Sequence, residues 1–191
     1  MKRSRHPSAT WAHFAAPGDA ARVRVGGGFV PTAEELARPL LLLAGGIGIT
    51  PLASIARHAA DLAAACAAGG SSAPQPPPHV RLVYSCRSGA DFALLPELRA
   101  AEAASGGRLR VELRVTGAGG PDVAGARRGA RLGRDDVAAA LRAAAAAAGP
   151  CARVADVTTF LCGPPAMTDA LEAHLLALQQ PAARIRLERW W

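Results

Sequence analysis

One segment constrains the fold of this chain more than any other. An apolar run stops at paired glycines and Thr-Pro then opens a helix-like stretch, in the order Leu40-Leu41-Leu42-Leu43-Ala44-Gly45-Gly46-Ile47-Gly48-Ile49-Thr50-Pro51-Leu52. This order predicts a buried strand, a tight turn and a helix start. Glycines let the backbone approach a pyrophosphate closely, while Thr50 is predicted to cap the helix and Pro51 to fit its first turn. The free N–H groups and the positive dipole end would then face phosphate charge.

This turn alone leaves two interpretations open. Its spacing, G-G-x-G-x-T-P, differs from the dinucleotide pattern G-x-G-x-x-G, and glycines in such a turn can serve only to pack a strand against a helix. A second segment has the same order of features: Val157-Thr158-Thr159-Phe160-Leu161-Cys162-Gly163-Pro164-Pro165-Ala166-Met167-Thr168-Asp169-Ala170-Leu171. Ligands of doubly wound sheets lie beyond the carboxyl ends of the strands, where strand order reverses. Two strands with such endings can therefore line one crevice.

The rest of the chain alternates between strand and helix patterns. Strands are predicted at 40–44, 80–84, 109–115, 157–161 and 184–187, and helices at 51–68, 95–103, 135–147 and 164–178. A Gly/Ser/Pro-rich connector is predicted near 69–78, and a Gly/Arg-rich loop over 117–130. Such alternation predicts an α/β fold with a parallel sheet and right-handed crossovers.

Four motifs together resemble one family. They are Val23-Arg24-Val25-Gly26-Gly27-Gly28-Phe29, Tyr84-Ser85-Cys86-Arg87, Cys162-Gly163-Pro164-Pro165 and Glu188-Arg189-Trp190-Trp191. With the G-G-x-G-x-T-P turn they resemble the oxidoreductase NAD-binding domain-containing protein 1 family, within the ferredoxin–NADP reductase superfamily. The resemblance implies a five-stranded, parallel, doubly wound sheet with the first strand in the middle. It also implies an NAD(P)-binding domain at 38–191, and at 1–30 the C-terminal remnant of an FAD-binding β-barrel, with a strand near 21–25.

The resemblance also implies which residues would contact cofactors. The first turn would hold the pyrophosphate and one edge of the nicotinamide, and the second turn would place a cysteine beside the nicotinamide ring. The implied contacts are Gly45, Gly46, Ile47, Gly48, Ile49, Thr50 and Pro51 on the first turn, and Cys162, Gly163, Pro164 and Met167 on the second. Cys162 and Thr50 are the candidate catalytic residues, although a cysteine at such a position is otherwise most often a small buried hydrophobic residue.

Cofactor choice depends on a third strand end. Ser85 and Arg87 follow a strand where the superfamily meets the adenosine ribose, and a guanidinium there can bind the 2′-phosphate of NADP(H). Arg87 can equally pair with Asp91 and meet no ligand. NADH is preferred, because the residues after Val115 lack the Ser-Arg pair of NADPH-specific relatives. Trp191 is expected to stack on FAD, as terminal aromatics do in some members of the superfamily. Packing of both terminal tryptophans against the sheet edge is the alternative, and it is the preferred interpretation for Trp190.

Charge and composition exclude several other classes of protein. The formal net charge is +7, but the basic residues are dispersed, so we expect no nucleic-acid partner; an acidic electron-accepting protein or an arginine bias explains the charge as well. Four cysteines without C-x-x-C spacing and five scattered histidines predict neither a metal site nor disulfides. The uncharged stretch between Arg38 and Arg57 imitates a membrane span, but its glycines and Thr-Pro favour a strand and a helix.

Localisation is expected to be intracellular, with two interpretations of the N-terminus. Met1 to Ala16 is basic and free of acidic residues, like a mitochondrial transit peptide. The family resemblance instead makes this stretch the tail of an upstream domain.

Two functional hypotheses follow. In the first, the protein is a flavin-dependent NAD(P)H oxidoreductase that passes hydride between nicotinamide and FAD, and electrons onward to an unnamed acceptor. In the second, it is a non-catalytic NAD(P)-binding module, or a truncated fragment that lacks its flavin domain. The absence of the Arg-x-Tyr-Ser/Thr motif with which the family binds flavin favours the second for this polypeptide. The family resemblance favours the first for a full-length counterpart.

Overall fold

The computed structural model describes residues 14–22, 27–69 and 76–189. Six strands and five α-helices make up the described domain. The strands are β1 Leu40–Gly45, β2 Val80–Cys86, β3 Leu109–Val115, β4 Ala126–Arg128, β5 Thr158–Gly163 and β6 Ile185–Arg189. The helices are α1 Ala33–Leu36, α2 Ile49–Ala67, α3 Leu95–Ala104, α4 Arg134–Ala147 and α5 Pro165–Ala177.

All six strands run parallel in a single sheet of order β4-β3-β2-β1-β5-β6. The α/β class and the central position of β1 are therefore as predicted, since β1 lies between β2 and β5. The predicted count of five strands is wrong, because β4 forms inside the stretch expected to be a loop. This strand has only three residues, two of them arginines, and it pairs with the last three residues of β3.

Helices cover both faces of the sheet, as a doubly wound fold requires. On one face α2 and α3 pack over the even-numbered residues of β1, with Leu42, Ile49 and Leu98 fully buried. On the other face α4 and α5 pack over the odd-numbered residues, where Leu43 and Leu161 meet the helices. The strand that carries the glycine turn, β1, is buried along its whole length. Its carboxyl end is thus held rigidly at the middle of the sheet.

The outer edge of β3 is bonded by side chains of α3 where β4 does not reach. Arg99 donates to the carbonyl oxygen of Val111 at 3.2 Å, and Glu102 accepts from its amide at 2.9 Å. The hydroxyl of Ser105 accepts from the amide of Leu109 at 3.0 Å. Arg99 and Glu102 lie on one face of α3, and Ser105 is the C-cap residue of this helix, so the helix and its C-terminal end together bond the backbone of this edge.

The segment ahead of β1 is fastened to β5 and β6. Arg186 donates to the carbonyl oxygen of Gly28 at 3.1 Å and lies 3.4 Å from the carboxylate of Glu35. The ring of Phe29 packs edge-on against Phe160, with 5.4 Å between ring centroids. The described residues of the predicted barrel remnant, 14–22 and 27–30, contain no strand. Residues 23–26, which make up most of the strand predicted near 21–25, lie outside the described residues.

None of the helices in the described part of the chain combines the length and apolar character that crossing a bilayer requires. The apolar stretch between Arg38 and Arg57 is instead divided between β1 and α2. This division is the one that the glycines and Thr-Pro predict.

Candidate functional site

The two predicted turns lie side by side at the carboxyl edge of the sheet. Strands β1 and β5 are neighbours, with Ala44 opposite Cys162 in the ladder. Beyond β1 the chain makes a short 3₁₀ turn over Gly46–Gly48 and enters α2; beyond β5 it enters α5 through Pro164. Strand order reverses between β1 and β5. From β1 the sheet continues through β2, β3 and β4 on one side, and through β5 and β6 on the other. This is the position at which doubly wound folds bind ligands.

Backbone contacts between glycines join the two turns. A Cβ on Gly48 would stand 2.5 Å from the carbonyl carbon of Cys162 and 2.7 Å from the nitrogen of Gly163. A Cβ on Gly163 would stand 3.2 Å from the Cα of Gly45. The first turn therefore rests on the second with no room for a side chain between them.

Gly45 also brings the start of α5 against the first turn. A Cβ at this position would collide with the sulfur of Met167 and lie 3.1 Å from Cδ of Pro164. Gly46 differs, because its φ is +53° and nothing lies within 4 Å of where its Cβ would be. The space above Gly46 is the part of the first turn that a ligand can approach.

The two helices that begin at these turns have uncompensated N-termini. Neither α2 nor α5 has a side-chain cap or an acidic residue in its first turn. The other three α-helices carry carboxylates there: Glu34 and Glu35 in α1, Glu97 in α3, Asp135 and Asp136 in α4. The positive dipole ends of α2 and α5 thus meet at one crevice, where they favour an anionic group.

The predicted cap at Thr50 is wrong. The helix begins two residues earlier than predicted, at Ile49, and its N-cap is Gly48. The exposed hydroxyl of Thr50 donates back to the carbonyl oxygen of Ile47 at 3.0 Å and so stabilises the 3₁₀ turn. Pro51 does lie in the first turn of the helix, as predicted. Ile47 is 60% exposed, whereas Ile49 is fully buried and offers no side-chain surface to a ligand.

Cys162, the predicted neighbour of the nicotinamide ring, is fully buried (0% exposed) in the core that also contains Phe160. The predicted contact between its thiol and a nicotinamide would therefore require the two turns to separate.

The strand end that carries Ser85 and Arg87 lies beside the first turn. Ser85 is opposite Gly45 in the ladder and is half-buried. Arg87 is exposed and forms no ion pair with any described residue. The alternative in which it pairs with Asp91 is not realised in the structure, where that carboxylate accepts from the amide of Ser88 at 3.1 Å. The guanidinium of Arg87 is available to a ligand.

Tyr84 and Cys86 anchor the loop that follows β2, and sequence reasoning missed both. The hydroxyl of Tyr84 accepts from the amide of Ala93 at 3.1 Å, and its ring packs edge-on against Phe92 with 4.9 Å between centroids. The thiol of Cys86 lies 3.5 Å from the carbonyl oxygen of Asp91. Burial is the main cause that raises the pKa of the Tyr84 phenol, and it also raises the pKa of the Cys86 thiol. The available signal was the presence of a single tyrosine at the end of an apolar strand.

The structure thus brings together Gly45, Gly48, Cys162, Gly163, Pro164 and Met167, with Ser85 and Arg87 alongside. Trp191, the predicted flavin contact, lies outside the described residues, as does Trp190.

Comparison with protein families gives one matching model, described as the oxidoreductase NAD-binding domain, over residues 42–173. The protein of Bos taurus named oxidoreductase NAD-binding domain-containing protein 1 is 30% identical over 201 residues. This match covers 100% of the chain and 59% of the relative. The resemblance read from the sequence motifs is confirmed, and the chain spans about 59% of this relative's length.

Solved structures share the same fold. The CS-b5R domains of human Ncb5or, in the NAD+ form, give a TM-score of 0.62 at 17% identity, over 90% of this chain and 46% of that one. The Amycolatopsis cytochrome P450 reductase GcoB gives a TM-score of 0.58 at 26% identity, over 91% of this chain and 46% of that one. The sheet and its two layers of helices are therefore those of reductase nucleotide-binding domains.

Proposed function

Because the chain belongs to the oxidoreductase NAD-binding domain family, we propose that the crevice between the β1 and β5 turns binds the pyrophosphate of a nicotinamide dinucleotide. The observation that carries this proposal is the meeting of two uncapped, acid-free helix N-termini over interlocked glycine backbones. Each helix end presents about half a unit of positive charge, which no acidic residue of its first turn offsets. A doubly charged pyrophosphate is the anion that two such ends suit best.

The chain's own contribution is to hold the nucleotide rather than to react with it. The backbone of Gly46, with open space above it, lets the pyrophosphate approach without a side chain in the way. The interlocked turns fix both helix ends relative to each other, so little reorganisation accompanies binding. When bound, the nicotinamide supplies a hydride, and positioning of that ring is the protein's part in the reaction.

The adenosine half is proposed to extend over β2 towards Arg87. This guanidinium meets no described carboxylate, and it suits either a ribose diol or a 2′-phosphate. NADH remains the proposed cofactor on the sequence evidence after Val115, and NADPH is the competitor that the free arginine allows.

We propose that the dinucleotide serves a flavin-dependent NAD(P)H oxidoreductase. The described residues by themselves do not fit a flavin, because residues 14–22 and 27–39 contain no strand from which a barrel could be built. A flavin-dependent reaction would depend on protein outside the described residues, and we assign no flavin contact among them.

The second candidate is a nucleotide-binding module without turnover. It is favoured by the same lack of a described flavin site. In that case binding of NADH would be the whole activity of the chain, and the NADH-bound state would act by contacting another polypeptide.

Titration of the purified protein with NADH and NADPH, followed by nucleotide fluorescence, tests the binding proposal. We expect saturable binding of NADH in the micromolar to millimolar range, about where such cofactors operate. An absorption spectrum then separates the two candidates, since a visible flavin band that bleaches with NADH identifies the enzyme. A colourless protein that binds NADH is the module, and a protein that binds neither nucleotide contradicts both.

A further inference from the structure

Arg128, in the short strand β4, bonds the loop that follows β3 along its length. Its Nε donates to Oδ1 of Asp122 at 2.8 Å, and its Nη2 donates to the carbonyl oxygen of Gly120 at 2.8 Å. Its Nη1 lies 3.5 Å from the carbonyl oxygen of Gly117, a longer contact. One guanidinium thus bonds both ends of the stretch 117–122. A fork of fixed N–H groups suits this arrangement, because a lysine ammonium carries its three donors on one nitrogen and cannot reach both ends of the stretch in the same geometry.

The same loop is packed against the segment that carries Arg87. The amide of Gly117 donates to the carbonyl oxygen of Arg87 at 2.8 Å, and a Cβ on Gly117 would collide with that oxygen. A Cβ on Gly120 would stand 3.1 Å from Cβ of Ser88 and closer still to its hydroxyl. The two loops therefore touch at positions where a Cβ would collide, against the backbone of Arg87 and against the side chain of Ser88.

A third glycine completes this packing from the other loop. A Cβ on Gly89 would stand 2.8 Å from Cγ2 of Val123 and would collide with the carbonyl oxygen of Pro121. Thr116 adds a hydroxyl bond and an amide bond to the carbonyl oxygen of Cys86, at 3.2 and 2.8 Å. Each loop is thus the support on which the other rests.

We infer that Arg128 is a positioning residue for the adenosine half of the dinucleotide. It acts through the loop 117–122, which fixes the backbone of Arg87 and so directs that residue's unpaired guanidinium over the end of β2. The inference rests on the proposed function. Arg128 is assigned this role rather than that of a ligand, because each of its three guanidinium nitrogens contacts the loop.

Arg127 provides a matched control. It precedes Arg128 on the same strand, is exposed and forms no ion pair with a described residue. Arg127→Ala removes the same positive charge from the same region without releasing the loop. Any loss that both variants share is therefore an effect of charge alone.

The test compares three ligands in the full chain: NADH, ADP-ribose and reduced nicotinamide mononucleotide, which lacks the adenosine half. Arg128→Ala should weaken NADH and ADP-ribose roughly tenfold, while the mononucleotide binds as it does to the wild type. Arg128→Lys should bind NADH with an intermediate affinity, because it keeps the charge but loses the fork. Arg127→Ala should bind all three ligands like the wild type.

Three results would overturn the inference: equal weakening of NADH and the mononucleotide, equal weakening by the Arg127 and Arg128 variants, or no change in Arg128→Ala. If Arg128→Ala does not fold, the lysine variant decides by the same comparison. Amide hydrogen exchange over 117–123 gives a readout without ligand and should be faster in Arg128→Ala. Wild-type protein that binds no NADH, with that exchange still faster in the variant, would show the proposed function to be at fault and the loop to be held as described.

Discussion

Replacing Gly48 by alanine tests whether the two turns are interlocked. The added Cβ would stand 2.5 Å from the carbonyl carbon of Cys162, whereas ordinary contact begins at 3.4 Å. The first turn must therefore move away from the second by about 1 Å. The neighbouring atoms are backbone on the buried strand β5, so they cannot rotate aside as the end of a side chain would.

The magnitude follows from two opposed effects. Forcing a methyl into a closed contact costs about 1–3 kcal/mol. Alanine gives back about 0.4–1 kcal/mol by restricting the unfolded chain, because Gly48 has φ −59° and ψ −6°, which alanine adopts without strain. We expect a net loss of about 1–2 kcal/mol in the free energy of unfolding. The affinity for NADH should fall as well, since the displaced turn is the proposed pyrophosphate contact.

Urea denaturation followed by circular dichroism measures the stability, and nucleotide fluorescence measures the affinity. Gly28→Ala is the matched control, because this glycine lies outside both turns, nothing lies within 4 Å of its Cβ position and its φ is outside the left-handed region. Gly46→Ala separates strain from collision: it has open space but a φ of +53°, so it should cost roughly 1 kcal/mol. If Gly48→Ala is as stable as Gly28→Ala and binds NADH equally well, the interlocked arrangement is refuted.

Three further predictions concern other parts of the domain. Burial raises the pKa of Tyr84, the only tyrosine, so the folded protein should show no phenolate absorbance as pH passes about 10. The contribution of Tyr84 to stability should be intact below that pH and decline above it, because only the unfolded chain loses the proton. Tyr84→Phe should show a shallower alkaline decline than the wild type, and the remaining decline is expected from the Cys86 thiol, whose pKa burial also raises. Gln180→Leu should destabilise the domain by about 1–3 kcal/mol in urea titrations, since the buried amide bonds the carbonyl oxygen of Val157 and the hydroxyl of Thr159 at 2.9 and 2.8 Å; an unchanged midpoint would contradict this. Arg87→Ala should weaken NADPH more than NADH in parallel titrations, and equal effects would remove this side chain from the 2′ position.

The sequence predicted those elements whose pattern depends on one strand alone. The run from Leu40 to Gly45 gave β1, and alternation from Leu109 to Val115 gave β3. The strand β4 was missed because its three residues carry no apolar period. It forms where β3 offers an unpaired edge and where Arg128 donates to the loop that follows β3. Tertiary bonding of that kind leaves no local signal.

Within the candidate site, the glycines and prolines of both turns were identified, but their mutual contacts were not. Whether a Cβ on Gly48 meets empty space or the backbone of Cys162 depends on the spacing of two strands far apart in sequence. The cap at Thr50 was mispredicted because a 3₁₀ turn supplies the first residues of the helix and moves its start to Ile49. A capping rule that uses only neighbouring residues takes no account of the contacts between this turn and β5, at Cys162 and Gly163.

The bonds that Arg99 and Glu102 make with Val111 bear on how this protein behaves at high concentration. An incoming strand from a second molecule would first have to displace a carboxylate and a guanidinium, and would gain only the same number of backbone bonds in return. Addition of a strand at this edge of β3 is thus disfavoured because the backbone amide and carbonyl oxygen of Val111 are already hydrogen-bonded, and not because a large side chain blocks the edge. Crowding should leave this flank inert towards edge-to-edge aggregation.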